Sequence, residues 1–535
     1  MRPNQSRAWG FPLLLAVFFV AVGSAPYLYG YAIADEDEVF AGFVGRGTPG
    51  ANSYFAFARQ AAEGPALVTN LYAPESPSRA YFNPEWWVMG QAARWSGWTL
   101  ETWFHIGRAI SAAAFLLAAY HLCAVFLARE RDRQAALLLI AFGAGFGWIV
   151  VAANALTGAG LPPTNDAQGV TVFGYLMNKP HFMRAGAFAA LQYAWLIRGD
   201  QTGRRRYFAL SGLAAAGHSV IRPYHIPESC LVLALYVAAR SLRDPALFRP
   251  VSIRAAIALA AHAPAIAWQA WIFLRNPLGL GAMDAWSAPG VFELIGWFGL
   301  PLAAILIHLG FVVVRGEGWK PSLSAPVIWL AAAALLGQAA PWFPWGVESY
   351  FAWVLAPPLL FMRHTAPALI GWTGAGPSRR LLTACLIALA ALPTNLLVYA
   401  DFFRGLHAPT PPWRYFVSSE VLSALDWLSE NAPEEAVVLA SHDTSQFIPR
   451  YANFKVVTGQ DALTPNYREA NAHMARFFQS GDDDGFKRWL RARHGVAYVL
   501  HGPWERALGD FDPAAHAWLQ PLHTTGDVTV YRVQP

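Results

Sequence analysis

Between residues 11 and 400 the chain is a succession of apolar runs, most of them close to the roughly 20 residues a helix needs to cross a hydrocarbon core. They lie at 11–33, 106–128, 134–156, 181–197, 207–221, 226–241, 255–274, 291–314, 323–340, 349–362 and 381–400. A spanning segment must satisfy its own backbone, and a helix does so without partners, so the pattern predicts a polytopic α-helical membrane protein with about 11 transmembrane helices. Composition agrees, with 55% hydrophobic and 14% charged residues against roughly a quarter charged in a soluble domain. A soluble enzyme is excluded. No basic cluster with interleaved aromatics occurs, so the net charge of +5 gives no case for nucleic acid. Cys123, Cys230 and Cys385 all fall inside apolar runs, which argues against disulfides.

The loops supply an orientation, because Lys and Arg collect on the cytoplasmic side of short loops. Basic residues gather at the N-terminus (Arg2, Arg7) and in 129–133, 198–206, 240–254, 315–320 and 363–380, all on one side of the membrane in this arrangement. The N-terminus is then cytoplasmic. Residues 1–400 form the membrane domain, with a long first outer loop at 34–105, and 401–535 form a small α/β extracytoplasmic domain. A cleaved signal peptide at 1–25 is the alternative reading of the start; Pro26 after the cut and apolar character up to Ala34 favour a retained helix.

The long loop predicts an amphipathic interfacial helix over Asn52–Glu63, with Tyr54, Phe55 and Phe57 at headgroup level, followed by an aromatic and proline-rich stretch, Leu71 to Trp87. In the C-terminal region Ser418–Asn431 reads as an amphipathic helix. Val437–Leu439, Val456–Val457, Tyr498–Leu500 and Val528–Val533 read as strands, and 466–479 and 483–494 as helices.

The residues able to carry chemistry concentrate on the outer side. Asp35, Glu36, Asp37 and Glu38 are four consecutive carboxylates directly beyond the first helix. They invite a cation or a basic substrate, and Asp35 and Asp37 suit either a divalent metal, Mg or Mn, or a general base. A solvated helix end is the structural alternative. Lys179, His181, Arg184, Arg222 and His225 stand at the outer ends of helices, against the inside bias of basic residues, and a phosphate at the membrane surface explains them. Pairing of Arg222 with Glu228 or Glu348 is the alternative. Of the histidines inside the runs (His121, His218, His262, His308), His218 lies one turn from Arg222. Glu348 and Tyr350, where an outer loop re-enters the membrane, could hold a substrate hydroxyl or cap the next helix. Asp482–Asp484 reads as a solvated turn. His442-Asp443 beside Ser441 and Ser445 has triad residue types without evidence of triad geometry.

This layout resembles the GT-C superfamily of membrane glycosyltransferases, which use sugars carried on polyprenyl phosphate or diphosphate. Asp35-Glu36-Asp37 matches that family's acidic motif in position, and Asn70-Leu71-Tyr72 with Tyr81-Phe82-Asn83-Pro84 looks like its aromatic, proline-containing loop segment. Leu425-Asp426-Trp427-Leu428 before Val437-Val438-Leu439 looks like the opening of the soluble domain in bacterial members. The chain has no WWD-type motif of an oligosaccharyltransferase in its C-terminal region. The resemblance implies inverting transfer of a sugar from a polyprenyl-(di)phosphate carrier to a hydroxyl at the outer face of a bacterial inner membrane. It implies a carboxylate base (Asp35, Asp37 or Glu36) and Lys179, His181, Arg222 and His225 on the donor phosphate. His218, Glu348 and Tyr350 become substrate contacts, and the acceptor is a glycan, lipid or protein. A membrane transporter and a non-catalytic scaffold with a periplasmic domain are the rival readings.

Overall fold

The computed structural model describes residues 9–45, 50–77, 79–161, 164, 170–275, 291–314, 324–339, 349–367, 378–408, 414–461, 463–479 and 484–534. The chain divides into two compact units. The first comprises Met1–Ala25, Ile106–Ala270 and Ala285–Phe402, and the second Pro26–His105, Trp271–Asp284 and Phe403–Pro535.

The first unit is helical, and each apolar run falls on a helix or a helix pair. Among the described residues four helices are long and apolar enough to cross a membrane: Gly10–Ala32, Leu100–Phe126, Pro245–Arg275 and Leu382–Leu406. Glu130–Phe142 and Gly147–Thr157, bent by 43°, make a fifth if they form one span. The other runs give shorter or more polar helices. The chain is thus a mostly helical, polytopic membrane protein.

Small residues let these helices approach closely, as membrane packing requires. A side chain on Gly212 would stand 2.0 Å from the carbonyl oxygen of Ala258, so Arg205–Ile221 can cross Phe248–Arg275 there only with glycine. At the bend after Phe142, a side chain on Gly145 would collide with the Gly296 carbonyl, 1.5 Å away. That carbonyl accepts the Phe146 amide at 2.8 Å, satisfying a backbone group freed by the break.

The second unit contains two sheets. In the smaller, β1 (Glu38–Phe40) pairs antiparallel with β2 (Phe416–Ser418), Glu38 opposite Ser418 and Phe40 opposite Phe416. The larger sheet runs in the order β4-β3-β5-β7-β6, from β3 (Val437–Leu439), β4 (Lys455–Val456), β5 (Val496–His501), β6 (Leu519–Thr525) and β7 (Val528–Val533). β3 is parallel to both β4 and β5, while β7 is antiparallel to β5 and β6. Leu439, Val499, Met474, Phe477, Phe478, Leu490 and Phe511 fill the core between this sheet and its helices.

The expected strands at 437–439, 456–457, 498–500 and 528–533 are all present within a residue or two, as is the helix Ser419–Asn431, capped by the Ser418 hydroxyl. β6 is an addition. So is the helix His442–Tyr451, whose N-cap is Ser441.

The interfacial reading of Asn52–Glu63 needs correction. A helix forms at Ala51–Ala62, but Phe55 and Phe57 are buried within the unit and Tyr54 stacks on Trp86 at 4.3 Å. Its apolar face is covered by protein. Trp95 and Trp98, at the turn before Leu100–Phe126, are the exposed aromatics instead, 78% and 57% exposed.

Candidate active site

Two helix corners of the first unit gather Lys179 and Arg222. Lys179 separates the short helix Val172–Asn178 from Pro180–Thr202, with Pro180 at the first helical position, where its missing N–H costs nothing. Arg222 closes Arg205–Ile221 in an extended conformation, φ −136° and ψ 94°, the region that a following proline favours. The turn Pro223–His225 then leads into Ile226–Arg243.

Both cations meet one ring. The Arg222 guanidinium carbon lies 3.6 Å from the centroid of Phe182, and the Lys179 ammonium 5.1 Å from the same centroid and 5.2 Å from that of Tyr175. An aromatic face attracts a cation without neutralising it, so it can hold two groups that repel each other. His181 packs edge-on against Phe182. Arg222 is 8% exposed, so its charge is held largely away from water, and the His181 ring beside it is also buried.

His225 extends the cluster. Its ring stacks on His218, its Nε2 lies 2.8 Å from Gln192 Oε1, and its Nδ1 lies 3.5 Å from Glu228 Oε1. Gln192 donates in turn to the Ser229 hydroxyl at 3.1 Å. Glu228, one of the two carboxylates offered by the sequence as a partner of Arg222, faces His225 and two aromatic donors. Its Oε1 accepts from Tyr193 at 3.1 Å and Trp329 at 2.6 Å, and those two rings stack at 3.4 Å. Tyr350 packs against Tyr175, and its buried hydroxyl has no hydrogen-bond partner among the described residues. Lys179, His181, Arg222, His225, His218 and Tyr350 are therefore linked through Tyr175, Phe182 and Phe351, the last touching both His218 and Tyr350. Glu348 lies outside the described residues. Arg184 donates to Ser111 at 3.0 Å, and His262 pairs with Ser219 at 2.7 Å.

In the second unit the backbone of the acidic segment is pinned while its side chains face solvent. The Glu38 amide donates to the Asp35 carbonyl at 3.2 Å, and the Ser419 amide to the Asp37 carbonyl at 2.8 Å. Asp35, Glu36, Asp37 and Glu38 are all exposed. Among the described residues no three of His, Cys, Asp and Glu come close enough to hold a metal ion, so the pair Asp35 and Asp37 lacks a third protein ligand there. The aromatic loop segment is structural: Tyr72 is fully buried, its hydroxyl donates to the Gln446 carbonyl at 3.0 Å, and Asn70 donates to the Leu463 carbonyl at 2.9 Å.

Sequence reasoning missed Phe182, Tyr175, Gln192, Tyr193 and Trp329. Gln192 offered a signal, since an amide inside an apolar run needs a partner. Phe182 offered none, because aromatics are common in such runs.

No protein-family model matches the chain, and no curated protein does. Solved structures do match. ArnT from Cupriavidus metallidurans, bound to undecaprenyl phosphate, is 14% identical, with 96% of this chain and 97% of that one aligned and a TM-score of 0.51. The Archaeoglobus fulgidus oligosaccharyltransferase, in a complex with Zn and sulfate, is 15% identical over 97% of this chain and 73% of its own, TM-score 0.52. The arabinofuranosyltransferase AftD from Mycobacteria is 13% identical over 97% of this chain and 40% of its own, TM-score 0.54. The chain shares the fold of these three solved structures. Identity this low speaks for the fold alone, and function must be argued from the residues.

Proposed function

We propose that the protein is an inverting glycosyltransferase that moves a sugar from a polyprenyl-(di)phosphate carrier to an acceptor hydroxyl at the outer face of the bacterial inner membrane. The observation that carries this reading is the pair of cations, buried Arg222 and part-exposed Lys179, on the ring of Phe182 with His181 and His225 beside them. Such a cluster suits a phosphate at the end of a lipid, and a protein of the same fold, ArnT, holds undecaprenyl phosphate.

In the proposed reaction the acceptor oxygen attacks the anomeric carbon and the bond from that carbon to the phosphate oxygen breaks. The acceptor proton passes to Asp35 or Asp37, with Glu36 as the neighbouring carboxylate. The electron pair of the broken bond stays on the phosphate, where Arg222, Lys179, His181 and His225 oppose the charge. His218, Tyr350 and Glu348 are the proposed substrate contacts. Asp35 and Asp37 are also the proposed ligands of a Mg or Mn ion, which would supply positive charge. The accompanying arrangement has about 11 spans in residues 1–400, a cytoplasmic N-terminus and a periplasmic domain at 401–535, with membrane lipids around it and no nucleic acid.

The test is incubation of the purified protein with a panel of polyprenyl-phosphate sugars and glycan, lipid and peptide acceptors, reading transfer of label. Transfer from at least one donor is expected. Failure of every donor to react or bind would favour the transporter and scaffold readings.

A further inference from the structure

The C-terminal part of the second unit carries functional groups that the proposed reaction does not use. From β3 the chain runs to β4 on one side, then through Tyr467–Phe477 and Asp484–His494 to β5 on the other. The sheet therefore reverses its direction of growth at the carboxyl end of β3, the switch point where open parallel sheets bind ligands.

The floor of that crevice is already filled. The buried carboxylate of Glu505 accepts from the Ser441 amide at 2.8 Å, the Gly502 amide at 2.9 Å and the Thr444 hydroxyl at 2.6 Å. Those amides would otherwise cradle a phosphate at the start of His442–Tyr451. With a carboxylate in their place, the crevice repels a nucleotide or any other phosphate.

Beyond Glu505 a continuous row of half-buried groups follows. Arg414 lies over the Trp504 ring at 5.2 Å and donates from Nε to Asp443 Oδ2 at 2.8 Å. His442 is next in the chain, and its Nε2 is 2.8 Å from the Tyr467 hydroxyl. The side chains of Arg414, Asp443 and His442 are 29%, 35% and 19% exposed. Tyr467 starts its helix directly after Asn466, held in the left-handed region at φ 48°. Non-glycine residues in that region carry strain, which collects where a side chain must be aimed.

The chemistry of the row selects its ligand. The Arg414–Asp443 pair cancels charge, and Glu505 disfavours an anion, so an uncharged ligand fits best. The part-exposed Trp504 indole, with Arg414 over its ring, stands beside a carboxylate, an imidazole and a phenol, so an apolar ring edge adjoins several directed donors and acceptors that already hydrogen-bond one another. A sugar ring, with C–H bonds on one face and hydroxyls at its edge, needs both.

We propose that Trp504, Arg414, Asp443, His442 and Tyr467 form a glycan-binding subsite at the carboxyl edge of β3 and β5, taking a neutral sugar unit of the acceptor. This rests on the glycosyl-transfer reading above and selects a glycan among its acceptor classes.

The test is saturation-transfer NMR on the full-length protein in a detergent without a sugar headgroup. The probes are the methyl glycosides of mannose, galactose, glucose, N-acetylglucosamine and arabinofuranose. Wild type should transfer saturation to at least one glycoside, and Trp504→Ala, His442→Ala and Tyr467→Phe should each reduce that signal several-fold. Tyr467→Phe keeps the ring and removes one hydroxyl, and thermal unfolding measured alongside separates lost binding from lost fold. No saturation transfer in wild type, or equal signals in the well-folded variants, overturns the proposal. The assay needs no turnover, so glycoside binding without donor reactivity would sink the transferase reading and keep the subsite. Donor reactivity without glycoside binding would do the opposite.

Discussion

The rings of His218 and His225 lie face to face, their centroids 3.6 Å apart and their planes 8° from parallel. Gln192 fixes one edge of His225 and His218 covers its face, so the imidazole beside Arg222 has little freedom to turn. A flat neighbour is what His225 needs. His218→Phe should therefore retain donor affinity within a few-fold, whereas His218→Ala should weaken it by about 10-fold, the upper end of what a stacked pair contributes. Donor Kd for the two variants checks this, and equal losses would show that His218 acts through its nitrogens.

Arg222 tests the phosphate reading. Its guanidinium is planar and stacked on Phe182, and lysine reproduces neither the plane nor the bidentate fork. Arg222→Lys should lower donor-dependent kcat/KM by about 10-fold or more while the unfolding temperature stays near wild type. Normal catalysis in the Lys variant would assign Arg222 to architecture and leave Lys179 and His181 to hold the phosphate.

The carboxylates of Asp35 and Asp37 are exposed, so replacing them should change chemistry and not folding. Asp35→Asn or Asp37→Asn should reduce turnover by about 100-fold or more, the usual loss for a general base, with donor binding retained. Near-normal turnover in both would return the segment to a solvated helix end.

Chelation separates the two uses of the same carboxylates. If Asp35 and Asp37 hold a metal, EDTA should abolish transfer and Mn or Mg should restore it. Full activity after exhaustive chelation would leave these residues the proton-accepting role alone.

His501, at the end of β5, supplies a pH dependence. Burial lowers its pKa to about 4, with Arg506 pushing the same way and Asp512 opposing, and its Nε2 has no hydrogen-bond partner among the described residues. The native state thus holds it neutral while the unfolded chain would protonate it near pH 6.5. Its stabilising effect is present above pH 6.5 and lost as the pH falls toward 4, by up to about 1.4 kcal/mol per unit. Thermal unfolding between pH 4 and 7 should show this decline, and His501→Phe should flatten it.

The helices were legible because the information is local. A run such as 381–400 declares a helix whatever surrounds it, and the structure places Ser378–Leu406 there. Val528–Val533 was legible for the same reason, since β-branched alternation is written within a few residues. β6 was not: Pro521, His523 and a run of threonines carry no strand pattern, and pairing with β7 makes Leu519–Thr525 a strand. The helix His442–Tyr451 was obscured by its own N-terminus, whose Ser441, His442 and Asp443 look catalytic when read as neighbours and serve as a cap and first turn when folded.

The cations of the candidate site were also legible, because Lys179, Arg222 and His225 are ionisable groups at the ends of apolar runs. What each one touches was not. Trp329 reaches Glu228 across 101 positions, and that hydrogen bond takes up one of the two carboxylates that the sequence offers Arg222. The amino-acid sequence alone determined where apolar runs become helices and which charged groups interrupt them, since both follow from the water-to-membrane transfer of single segments. Only the tertiary structure decided that Arg222 and Lys179 share the ring of Phe182 and that Glu228 faces Trp329, because those contacts depend on how separately stable helices pack, and side-chain shape, not hydropathy, selects that packing.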